Sequence, residues 1–296
     1  MKNRDLITAL TICIVLLSAV AAGMGIWSDG GDGPYEYMSI RGEQVMIYGK
    51  GVYRHMSAEV APQGIAQDYV TLFAGVPLLI IALFYARRGS IRGRLFLAGV
   101  LGYFLVTYLF YLVMGMYNYL FLVYVALLGL SFFSFLLTIC SFRDVDLPAA
   151  FTLSTPVRFA GGFLVFNAIC IALLWLSIVV PPLLDGSIIP VEVAHYTTLI
   201  VQGLDLGLLL PAAALSGMLL RKKRAAGYLY GPVYFVFLVL LMAALVAKIA
   251  AMGAIGYNIV PAVFIIPFFL LMSIVCTVLL FRNIKESPSA KQNHHA

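Results

Sequence analysis

Eight stretches of this chain run almost without charge: Leu6 to Trp27, Tyr69 to Ala86, Leu95 to Met114, Tyr119 to Cys140, Phe159 to Val180, Thr198 to Leu220, Val233 to Gly253 and Pro261 to Phe281. A helix crosses ~30 Å of hydrocarbon in roughly 20 residues, at ~1.5 Å each. Backbone in lipid must satisfy its own hydrogen bonds, which leaves helices or closed barrels. Barrel strands alternate apolar and polar residues over about ten positions, whereas these runs are continuously apolar. The expected fold is an all-α integral membrane protein of about eight transmembrane helices. The chain is 62% hydrophobic and 11% charged, far from the roughly one-quarter charged content of soluble domains.

The formal charge of +6 and pI near 9.1 raise the question of nucleic acid, and the placement of charge answers it. With the N-terminus inside, fifteen of the nineteen basic residues fall on the cytoplasmic side, among them Lys2, Arg4, Arg87, Arg221 and Lys291. Only Arg41, Lys50 and Arg54 fall outside. This is the positive-inside asymmetry, a topology signal rather than a nucleic-acid footprint. Both termini are expected in the cytoplasm of a multi-pass cell-membrane protein. Lys2 and Arg4 ahead of an apolar run also suit a signal peptide. The run from Leu6 to Trp27 exceeds the roughly 7 to 15 residues of a signal core and reads better as an uncleaved helix.

Spacing suggests duplication. Pro77 lies ten residues before Arg87 and Gly93 six beyond it; Pro211, Arg221 and Gly227 repeat the interval. Tyr103-Phe104 and Tyr234-Phe235 then open the next helices, and Tyr117-Asn118 and Tyr257-Asn258 follow them. Residues 1–143 and 144–296 are expected as two four-helix repeats. Four crossings return the chain to its starting side, so the repeats are parallel about an axis along the membrane normal. Within the first half, residues 28–67 form a loop too long for a connector. Tyr35 to Ile40 and Gln44 to Tyr48 flank Arg41-Gly42-Glu43 and suggest a small extracytoplasmic β-hairpin.

The segments Arg41-Gly42-Glu43, Tyr48 to Arg54, Gln67 to Val70, Arg87 to Ser90 and Asn118 to Tyr124, with Gln202, Leu204-Asp205-Leu206 and Pro211 in the second half, resemble a group of uncharacterised prokaryotic multispanning membrane proteins. The resemblance covers most of the chain. It implies the fold and the placement of the outer loop, and no activity.

Charge inside a span is costly and is retained where it is paired or used. Asp205 lies about seven residues below the outer end of its span and Lys248 about five below its own. At ~1.5 Å per residue both sit roughly 8 to 11 Å deep and are expected in direct or water-bridged contact. Gln202 shares the helical face of Asp205. Asp68 is placed at the outer membrane edge, as a helix cap or as the mouth of a vestibule leading to Asp205. An ion pair here either fixes helix register or binds and couples a substrate. Tyr103, Tyr108 and Tyr111 either line a cavity or pack tightly.

Other chemistry is thinly supported. Cys13, Cys140, Cys170 and Cys276 show no C-x-x-C spacing. His55, His195, Glu59 and Glu192 lie in two loops without a ligand spacing, and no span carries two histidines. No metal, cofactor, nucleic-acid partner or catalytic set is expected. Two functional readings remain. One is a small permease or proton-coupled carrier for a small molecule or ion, centred on Asp205, Lys248, Gln202 and Asp68. The other is a non-transporting sensor or accessory subunit that meets a membrane-protein partner through its outer loop.

Overall fold

The computed structural model describes residues 3–286. Lys2 and Lys291, counted in the basic asymmetry, lie outside them. Among the described residues eight helices are long and apolar enough to cross a membrane: α1 (Arg4–Trp27), α2 (Val60–Arg87), α3 (Ile91–Val113), α4 (Phe121–Cys140), α5 (Val157–Asp185), α6 (Ile200–Arg221), α7 (Ala225–Ala254) and α8 (Ala262–Arg282). They match the expected runs, and α2, α5 and α7 extend well beyond them. Hydropathy marks only the apolar part of a helix, while hydrogen bonding carries α2 back to Val60 and α7 back to Ala225.

α3 and α7 meet at the centre. A Cβ at Gly99 would stand 2.4 Å from Val236 Cβ, so the two backbones approach closely only because glycine is there. α1 packs along α2 and α4, burying Ile7, Ile14 and Ala22 completely, and its Thr11 hydroxyl bonds Ser134 on α4 at 3.2 Å. α5 packs along α6, and Gly161 and Gly217 face each other there, each meeting the other's carbonyl.

Local geometry recurs between the halves. α2 widens into a π-helical segment at Thr71–Gly75 ahead of Pro77, and α6 does the same at Asp205–Leu209 ahead of Pro211. A proline lacks the N–H that would close the preceding turn, and such bulges are one way a helix absorbs the loss. α2 then ends in a left-handed residue, Gly89 (φ +83°), and α6 in Lys223 (φ +53°). Gly93 next backs onto the α2 backbone at Tyr85 and Ala86, and Gly227 onto the α6 backbone at Leu219 and Leu220. The packing of the halves also differs. α2 lies against α7 while α6 barely touches α3, and α5 meets α8 only briefly.

The long loop is a hairpin: β1 (Tyr35–Met38) pairs antiparallel with β2 (Gln44–Ile47), in register Tyr35 with Ile47 and Met38 with Gln44. Ser39 Oγ accepts from the Arg41 and Glu43 amides and closes the turn. The Arg41 guanidinium then donates to the carbonyls of Ala194, Tyr196 and Thr197, so the hairpin is latched to the α5–α6 loop. At the opposite end, the Glu286 carboxylate accepts from Ser90 Oγ and from the Ile91 and Arg92 amides, capping α3.

Candidate functional site

Between the two halves, under the hairpin latch, lies a cavity of about 630 Å³, within the range of small-molecule sites. Asp205 and Gln202 reach it from α6, Lys248 from α7, and Gln67, Tyr53 and Tyr111 from the opposite wall. Asp205 opens the π segment of α6, and its side chain reaches α5. There Oδ2 accepts a 2.7 Å hydrogen bond from Trp175 Nε1.

Asp205 and Lys248 are not in direct contact. Among the described residues the one ion pair within 4.0 Å is Arg92–Glu286, at 3.9 Å. Lys248 lies instead within Coulombic range of both Asp205 and Asp68. Lys248 lines the cavity together with Asp205, without a direct bond between them.

Asp68 is neither a helix cap nor at a mouth. α2 begins eight residues earlier, at Val60, which places Asp68 two turns inside the helix with 2% of its surface exposed. Its Oδ2 accepts from Tyr53 at 2.5 Å and its Oδ1 from Tyr111 at 2.8 Å. Gly25 of α1 makes room for it, since a Cβ there would fall 1.7 Å from Oδ2. Tyr53 comes from the loop and lies over Gly64, whose Cβ would fall 2.7 Å from the Tyr53 ring. Asp68 therefore stands behind a screen of two tyrosines, and those tyrosines form the cavity wall. Beside them Gln67 Nε2 donates to Tyr103 Oη at 2.8 Å, and Thr71 Oγ1 shares a 2.8 Å bond with the same hydroxyl.

Tyr103 and Tyr111 thus both pack and line, while Tyr108 is buried among Phe104, Tyr111 and Tyr124. Asn167, Trp175 and Tyr53 of the wall escaped the sequence reading. Asn167 of α5 is 2% exposed, and its Nδ2 has no hydrogen-bond partner. A buried unpaired donor costs ~1 to 3 kcal/mol and calls for a water or ligand acceptor. It is the one amide in its apolar run, which was its available signal. Trp175 is one of two tryptophans in the chain, but nothing in sequence links it to Asp205.

His55 and His195 do meet, though not as ligands. His195 Nε2 donates to the His55 carbonyl at 3.0 Å, and the His55 ring accepts from Arg54. Among the described residues no group of three or more His, Cys, Asp or Glu side chains gathers as a metal set. Compared with protein-family models, curated proteins and solved structures, the chain finds no match.

Proposed function

We propose that this multi-pass membrane protein is a small proton-coupled carrier, with residues 1–143 and 144–296 as parallel repeats that rock about the central cavity. The observation that carries the reading is one space between the halves walled by Asp205, Gln202 and Lys248. A register-fixing ion pair in a dry bundle needs no such space. Two carboxylates share one ammonium here, which leaves one negative charge for a proton or cation to balance. The resemblance to uncharacterised prokaryotic membrane proteins is kept as part of this reading. So is the orientation, with both termini cytoplasmic and the hairpin outside. The recurrent π segments, left-handed helix ends and glycine contacts support the duplication.

A second reading has its own observation. The hairpin leaves Tyr35, Tyr37, Met38, Ile40 and Met46 exposed, Ile40 by 87%, a surface suited to a membrane partner of a sensor or accessory subunit. Distance measurements between spin labels at Tyr117 and Tyr257, in a cysteine-free background in nanodiscs, separate the two. Rocking halves give two distance populations whose ratio shifts with pH. One narrow, pH-independent distance would leave only the non-transporting module.

A further inference from the structure

A second space adjoins the cavity. It is a groove of about 750 Å³ between α3, α4, α6 and α7, bordered by Gly102, Gly129, Phe132, Leu208 and Tyr230. Leu208, Phe132 and Tyr230 are each 40% exposed or more, so the groove opens on the lipid-facing side of the bundle. Val106, Leu209, Tyr234 and Phe237 line both spaces. The partition is therefore one side chain thick, crossed by a 2.9 Å hydrogen bond from Tyr234 Oη to the Leu209 carbonyl.

The two compartments differ in chemistry. The groove is lined almost entirely by apolar side chains. The charged residues lining the cavity are Asp205, Glu59 and Glu192 against a single cation, Lys248, and Asp68 adds a further carboxylate behind the tyrosines. A low-dielectric cleft with a surplus of one sign concentrates the opposite sign. The remaining wall is aromatic, with Tyr53, Tyr111, Tyr124 and Trp175 offering ring faces that attract a desolvated organic cation.

We infer that cavity and groove form one binding site for a lipophilic cation, a quaternary or protonated organic onium whose charge sits near Asp205 and whose apolar tail lies in the groove. The inference rests on the carrier reading and names its substrate class. Arrival from the membrane through the groove leads past Tyr234 to Asp205. There the incoming cation takes the place of a proton, which leaves the Asp205 carboxyl for the water of the cavity. Charge is conserved in that exchange, and no bond forms or breaks in the ligand.

The test uses the purified full chain in detergent with tritiated tetraphenylphosphonium as probe, read by scintillation proximity. Saturable binding is expected, lowered at least tenfold by Asp205→Asn and not competed by tetraphenylborate, which has the same shape and the opposite charge. Decyltriphenylphosphonium and methyltriphenylphosphonium, as competitors, share a head and differ in tail. Gly129 lines the groove and has no neighbour within 4 Å of the position of a Cβ, so Gly129→Phe sets a ring into the groove. It is expected to weaken the decyl compound at least tenfold and leave the methyl compound unchanged, which also shows that the variant is folded. Equal competition by phosphonium and borate overturns the charge assignment. A decyl compound insensitive to Gly129→Phe overturns the groove. Absent phosphonium binding with two spin-label distances retained rejects this inference and leaves the carrier standing. Binding with a single distance does the reverse.

Discussion

Replacing Gly25 by alanine probes whether Asp68 is fixed where α1, α2 and the outer loop meet. The added Cβ would lie 1.7 Å from Asp68 Oδ2 and 2.7 Å from Cγ, against ~3.5 Å for ordinary contact. Something must therefore move by about 1.8 Å. If the carboxylate moves, it loses one or both bonds from Tyr53 and Tyr111, each worth ~1.5 to 3 kcal/mol for a charged acceptor. If α1 moves, Ile14, Ala21 and Ala22 leave their packing, at the ~1 to 3 kcal/mol typical of an overfilled core. The cheaper route sets the expected loss, about 1 to 3 kcal/mol, measured by denaturation in detergent with tryptophan fluorescence. In an Asp68→Ala background the obstructing carboxylate is gone, and Gly25→Ala is expected to cost less than about 1 kcal/mol. Such non-additivity is the signature of direct contact. Equal costs in both backgrounds, or wild-type stability in the single variant, would refute the placement of Asp68.

Gly161→Ala sets a Cβ 2.4 Å from the Gly217 carbonyl and is expected to destabilise by ~1 to 3 kcal/mol. Gly162→Ala, with open space at that point, is expected to be near neutral in the same thermal-shift assay. Lys248→Met and Asp205→Asn are each expected to cost less than the ~3 to 5 kcal/mol of a broken buried pair, because cavity water solvates the remaining charge. A loss of that full size on denaturation would show that the two residues do touch. His195, outside the spans, has its pKa lowered by burial, partly offset by its bond to the His55 carbonyl. Folding favours the neutral ring, so its contribution is present above the ordinary His value of ~6.5 and is lost as pH falls below it. Hydrogen-exchange protection of residues 191–197, corrected for intrinsic rates, is expected to fall over that window in wild type and not in His195→Gln.

Eight helices and a hairpin were legible because uncharged length and turn residues are local properties. Asp68 was misplaced for a physical reason. Gln63, Gln67 and Asp68 interrupt the apolar run, so hydropathy ends the span near Tyr69. In the fold Gln67 and Asp68 are buried against protein while Gln63 lines the cavity, and α2 continues. The direct or water-bridged Asp205–Lys248 contact was expected from equal depth and from the small residues around both positions, and no direct bond forms. Depth says nothing of azimuth, and Trp175 occupies the position beside Asp205. Tyr53 was out of reach in the sequence, since only the folded loop carries it over Gly64 to Asp68.

The most direct measurement is the accessibility of a single cysteine at Asn167, deep on the cavity wall, to a membrane-impermeant thiosulfonate. The reagent is applied separately to right-side-out and inside-out vesicles of a cysteine-free background. The account predicts modification from both sides, because a carrier presents its central cavity alternately to each. Protection by tetraphenylphosphonium is expected in both orientations. Modification from one side only, at every pH and with or without the cation, would contradict it.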